Sequence, residues 1–264
     1  MYEDFYKKES ILCEELGISN EVNYFSISII NEISKHINFV KKSFVDFEIN
    51  ISYFPFKNIF NYDNLIVEFD TNFSFQASNN IDAKTNTLIL KFNTKYIPSE
   101  KELFGLILHE VQHLYTNIMG LKIKIDYNLA VNIKRECMID TYTPFPETVK
   151  LMEMIYYSSP TEIYAHVHEI WFQISFSKIK TKEDFNKYLL NNGIYQYTTR
   201  LGKHDIYKIW DDIKKEEMCD ILIDKFKVKN IDKWLKYLDK QFKESGESYL
   251  YRFGRLLEKI QREK

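Results

Sequence analysis

The chain has 264 residues, a formal net charge of −2, 45% hydrophobic residues and 16% aromatics. That is enough apolar material for one large core or a core with an appendage, and it excludes an intrinsically disordered chain. Near-neutral charge with only five arginines (Arg135, Arg200, Arg252, Arg255 and Arg262) argues against a protein that binds nucleic acid through its phosphates. No stretch approaches the roughly 20 apolar residues of a membrane span, and the first residues, Met1 to Lys8, carry no signal-peptide core. Cys13, Cys137 and Cys219 are isolated and form no C-x-x-C pair, so a reducing compartment is expected and a cysteine zinc site is not.

In chain order, Ile30, Ile33, Ile37 and Val40 recur on one face of a helix expected over 21–42. Val45, Phe47, Ile49, Ile51 and Tyr53 then alternate with Asp46, Glu48, Asn50 and Ser52, the pattern of a half-buried strand. Further strands are expected over 65–69, 73–77 and 87–92, with Asn79, Asn80 and Asp82 marking a turn between the last two. Ser99-x-x-Glu102, preceded by Pro98, has the form of a capping box. It starts a helix over 100–119 whose apolar stripe is Leu103, Leu106, Ile107, Leu114 and Ile118, with Gly120 as the C-terminal stop.

Everything after Gly120 reads as helix, in segments near 123–140, 146–158, 161–177, 182–192, 204–217 and 230–260. Trp210, Trp234, Phe242 and Tyr249 fall at helical spacing and are expected in the core. The lysine-rich run Ser177 to Asp184 marks a boundary, dividing the chain into 1–178 and a helical subdomain, 179–264. The expected class is α+β: an N-terminal helix, a small, mainly antiparallel sheet packed on the 100–119 helix, and an all-helical C-terminal half.

The 100–119 helix contains His109-Glu110-Val111-Gln112-His113, an H-E-x-x-H motif. Histidines four apart on a helix face the same way, so both imidazoles can reach one metal ion. Glu110, rotated about 100° from His109, misses the ion but can reach a water beside it. A mostly apolar helix ordinarily avoids such clustering of ionisable groups, because each would be desolvated without a partner, and a metal ion removes that cost. The bland alternative is a pair of core histidines with polar partners and a surface glutamate.

A zinc hydrolase typically needs a third protein ligand and a water. A third histidine six residues beyond His113 is absent, since that position is Met119. The other histidines are His36, His166, His168 and His204. Downstream, Ser159-Pro160-Thr161-Glu162-Ile163-Tyr164-Ala165-His166 opens a second apolar helix running through Ile170, Trp171, Phe172 and Ile174. With H-E-x-x-H followed by Glu162-Ile163-Tyr164-Ala165, the chain resembles the Glu-zincins, metallopeptidases whose third ligand is a glutamate on a later helix, often in an E-x-x-A run. Small zincins of phages and bacteria share this layout, and the likeness spans residues 86–175. The separation of 49 residues (162 − 113) is longer than in compact members.

The resemblance implies a zincin-like fold for 1–178, with strand 87–92 lying along the cleft and pairing with an extended substrate. It implies a zinc-dependent peptidase with one Zn2+ per chain held by His109, His113 and Glu162. Glu110 is then the general base, and the oxyanion donor is His166 or Tyr164, with Tyr156 and Tyr157 as further candidates. Two readings of Glu162 compete. It can bind the metal, or it can complete a capping box with Ser159, in which case His166, one turn along, is the best substitute ligand. Ala165 is small enough to let the two helices approach closely, and His168 is expected to be structural or exposed.

The expected partner is a peptide or protein substrate, with neither nucleic acid nor membrane. The expected location is cytoplasmic, or virion-associated if phage-encoded. One alternative is a zincin-fold structural or binding protein, such as a virion or assembly component, that cleaves nothing. The other is a helical interaction protein with an accidental motif.

Overall fold

The computed structural model describes residues 20–35, 47–51, 62–72, 77–93, 100–118, 126–138, 142–175, 179 and 181–262. By internal packing the chain divides into two units, Met1–Leu121 with Tyr164–Lys178, and Lys122–Ile163 with Ile179–Lys264. One division falls at the lysine-rich run at 178/179, and the segment 122–163 groups with the C-terminal helices.

The first unit begins with helix α1 (Asn20–Ser34) and strands β1 (Phe47–Ile51), β2 (Asn64–Phe69), β3 (Ala77–Asp82) and β4 (Thr87–Phe92). Helix α2 (Glu100–Ile118) carries the motif, and the later helix α5 (Pro160–Ser175) returns most of its length to this unit. The sheet order is β1-β2-β4-β3. β1 and β2 are antiparallel, β2 and β4 parallel, and β4 and β3 antiparallel, so the sheet is mixed, with its parallel pair in the middle. The expected mixed architecture is present: a helix, a small sheet, then helices.

Alternation places Leu65, Val67 and Phe69 of β2 beside Leu88, Leu90 and Phe92 of β4 on one buried face, with the Phe69 and Phe92 rings 5.7 Å apart. Ile30 and Ile33 of α1 and Leu103, Ile107, Val111 and Leu114 of α2 join the same core. The expected helix stripes therefore meet the sheet face, and hydrophobic burial holds the motif helix against the strands.

The strand assignment needs two corrections. Asn79, Asn80 and Asp82, read as a turn, lie within β3, where Asn79 pairs with Leu90 and Ile81 with Leu88. The turn falls at 83–86 instead. There the Asp82 carboxylate accepts from Lys84 N and Thr85 Oγ1, and Asn86 takes the left-handed conformation (φ 48°). Polar residues fit because β3 is an outer strand and needs no apolar second face. Strand 87–92, expected along a cleft, is inner and paired on both sides by β2 and β3. The outer strand beside β4 is β3.

Positions 73–76 and 94–99 and the predicted cap at Gly120 lie outside the described residues, as do Val45, Tyr53, Ile37, Val40 and Cys13. Among the described residues Cys137 and Cys219 are free, and no helix is long and apolar enough to cross a membrane.

The second unit is helical: α3 (Tyr127–Cys137), α4 (Pro146–Tyr157), the first turn of α5, α6 (Lys182–Asn191), α7 (Gly193–Thr198), a 3-10 turn (Leu201–Lys203), α8 (Ile206–Lys215), α9 (Cys219–Lys225) and α10 (Ile231–Arg262). Trp210, Phe242 and Tyr249 are buried as expected, whereas Trp234 is half-buried in edge contact with Trp210 at 5.6 Å. α8 and α9 are followed by Glu217 and Lys227 at φ 57° and 52°. Neither is glycine, so the usual helix-stop residue does not mark the two sides of α9, a helix absent from the expected segments.

Helix α4 opens with Phe145, which supplies no side-chain cap. Its free amides are met from the end of α8. Glu216 Oε1 accepts from Glu147 N at 2.7 Å, and Oε2 accepts from Thr148 N at 2.9 Å and Thr148 Oγ1 at 2.7 Å. A carboxylate on a helix N-terminus gains from both the orphan donors and the helix dipole. Glu216→Ala is expected to cost about 1–3 kcal/mol of stability, with Glu216→Gln intermediate, as measured by urea denaturation. An unchanged midpoint would remove this cap from the account.

Candidate metal centre

The site is carried by α2 and α5, and each side chain's place follows from helical spacing. On α2, Gly105, His109 and His113 fall four apart, and on α5, Glu162, His166 and Glu169 fall four and three apart, so each set shares a face. Glu162 belongs to the first turn of α5, so the helix itself holds it one turn from His166. His109, Glu110, Glu162, His166, His168 and Glu169 are all buried, and His113 is half-buried. Six ionisable side chains buried on two helices would be costly without partners or a shared ion.

His109, Glu162 and His166 form a possible metal-binding triad, each offering a ligand atom within 4.8 Å of the other two. His113, expected as a ligand, is not a member of this triad; its Nε2 lies 3.0 Å from His109 Nε2. Nitrogens about 2.0–2.1 Å from a tetrahedral zinc ion stand about 3.3 Å from each other, so the spacing of the motif pair suits a common ion. The triad atoms, within 4.8 Å of one another, span a wider spacing. Imidazoles with a carboxylate are also the donor set of catalytic zinc sites, so the residues present fit the metal.

The Glu169 carboxylate stands behind the histidines, its Oε2 3.3 Å from His109 Nδ1 and 3.5 Å from His166 Nδ1. Burial pushes the Glu169 carboxyl up, but the hydrogen-bonding and charge of His109 and His166 outweigh it and hold the group at about 2. A Cβ placed on Gly105 would come within 3.1 Å of Glu169 Cγ, so the glycine gives this carboxylate its passage between the helices. Ala165 is fully buried.

Glu110 accepts a hydrogen bond from Asn79 Nδ2 at 2.6 Å, which ties the residue after the first histidine to strand β3. Ser159 N–H donates to the Tyr156 carbonyl at 3.0 Å, Ser159 Oγ meets Thr161 Oγ1 at 2.6 Å, and the Ser159 carbonyl accepts from Ile163 N at 3.0 Å at the start of α5. The corner before Glu162 is braced within the second unit. Ser245 Oγ and Gln241 Nε2 donate to the Ser158 carbonyl at 3.0 and 3.2 Å, and Tyr249 OH donates to the Tyr157 carbonyl at 3.2 Å.

Tyr164 is half-buried on α5 and is not a member of the triad. Tyr156 and Tyr157 are half-buried at the end of α4. His168 is not exposed: it is wholly buried, and burial, with a smaller contribution from His109, pushes it down to about 3, so it is neutral near pH 7.

Sequence reasoning passed over Glu169, Gly105 and Asn79. The i, i+4, i+7 run of polar groups at 162, 166 and 169 on an apolar helix was the available signal for Glu169. Asn79 was concealed by its reading as a turn residue. No family model matches the chain, and neither a curated protein nor a solved structure matches it.

Proposed function

We propose that the chain is a zinc-dependent peptidase of the Glu-zincin kind. The observation that carries this reading is the buried convergence of His109, Glu162 and His166, with His113 Nε2 3.0 Å from His109 Nε2. His109, His113 and Glu162 would hold the ion. Bound zinc supplies Lewis-acid activation of a water and of a scissile carbonyl.

Glu110 accepts the proton of the attacking water and returns it to the departing amine. Asn79, 2.6 Å away, holds that carboxylate in place. His166 is poised to donate to the oxygen that gains charge. β3 is the outer strand nearest this machinery, and its backbone edge suits an extended peptide added as a further strand.

A second reading is favoured by one observation. His166 stands with His109 and Glu162, and counting His113 that makes four donors, the number that closes a structural zinc site. Such a protein holds metal and cleaves nothing, as a structural or binding component would.

Paired variants separate the two. For the peptidase, Glu162→Ala should weaken zinc binding by orders of magnitude, while His166→Ala should keep zinc and slow hydrolysis. For the closed site, both variants should lose zinc and the wild type should cleave no peptide in a library. Zinc retained by Glu162→Ala, with only about 0.5–2 kcal/mol of stability lost, would mean that Glu162 is a helix cap and would remove the Glu-zincin assignment.

A further inference from the structure

We propose that Glu169 is the positioning residue of the metal centre: its carboxylate holds the Nδ1 edges of both His109 and His166, turning the opposite Nε2 edges toward the ion. The inference rests on the metal-site reading above. One oxygen, Oε2, lies 3.3 Å from His109 Nδ1 and 3.5 Å from His166 Nδ1, and the two rings stand 4.5 Å apart at 61°.

An imidazole whose Nδ1–H faces a carboxylate keeps its lone pair on Nε2, so this contact selects the tautomer as well as the orientation. The His109 Nε2 atom is the one 3.0 Å from His113 Nε2, so the nitrogen opposite Glu169 already faces its motif partner. Glu169 is 8% exposed, too buried for an incidental surface carboxylate, and a buried carboxylate needs such partners.

A further feature agrees. Position 105, one turn before His109, is glycine, and a Cβ there would stand 3.1 Å from Glu169 Cγ, so the sequence leaves room where the carboxylate crosses. His109 and His166 come from different helices, so a single side chain sets the geometry of both.

The test uses the full chain without a histidine tag, as wild type, Glu169→Ala and Glu169→Gln. Zinc affinity is measured by competition with a chromophoric chelator, and Co2+ is substituted to record its visible absorption. Glu169→Ala should bind zinc about 10–100-fold more weakly and shift the Co2+ bands. Glu169→Gln, which keeps the shape and one acceptor oxygen, should fall between it and the wild type.

Wild-type affinity with unchanged Co2+ bands in both variants would overturn the proposal. So would a lower melting temperature with affinity and bands unchanged, the mark of a merely structural residue. If Glu169→Ala does not fold, Glu169→Gln decides alone: weaker binding supports the proposal and equal binding overturns it. A wild type that binds no zinc would instead overturn the metal reading on which the proposal stands.

Discussion

Glu110→Gln is expected to lower hydrolysis by about 10²–10⁴-fold while leaving zinc content and melting temperature near those of the wild type. The amide keeps the shape of the carboxylate and can still meet Asn79, 2.6 Å away in the native chain, so the local packing survives. What it loses is the ability to take a proton from water. The measurement is the initial rate on a peptide substrate found by library screening, with zinc determined on the same samples. Full activity in Glu110→Gln would assign the base elsewhere. Loss of zinc would make Glu110 a ligand and contradict the helical geometry from which its role is argued.

His109→Ala and His113→Ala should each reduce zinc binding to below stoichiometric levels at micromolar protein, because each removes one of the paired nitrogens. Their structural costs should differ. His109 is buried and faces Glu169, so its loss leaves that carboxylate with fewer partners, while His113 is half-buried. Circular dichroism should therefore find His113→Ala closer to wild type in thermal stability, with metal equally lost. Retention of stoichiometric zinc by both variants would mean that the motif pair does not bind it.

Elements whose burial has a clear period were legible in the sequence. The stripe Leu103, Leu106, Ile107 and Leu114 defined α2, and the apolar runs of β2 and β4 defined the sheet's centre. β3 was not legible, because an outer strand of asparagines and aspartate carries turn-forming residues and owes its conformation to pairing with β4. Helix α9, which falls between two expected segments, was hidden for a related reason. Glu217 and Lys227 adopt left-handed backbone that sequence rules assign to glycine.

At the centre itself, His109 with His113 and Glu162 with His166 could be singled out because helical spacing puts each pair on one face, and Glu110 because it lies inside the motif. The contacts of Glu169 with His109, and of Asn79 with Glu110, join residues 60 and 31 positions apart (169 − 109; 110 − 79). No local period encodes contacts at that range; they exist only once the helices and the sheet have packed.

The central claim is that this chain holds a metal ion at the H-E-x-x-H helix. Its most direct test is elemental analysis of the untagged full chain after zinc loading and exhaustive dialysis. The account predicts about one zinc per chain, removed by a strong chelator and restored on re-addition. A folded wild-type protein that retains no stoichiometric metal would contradict it.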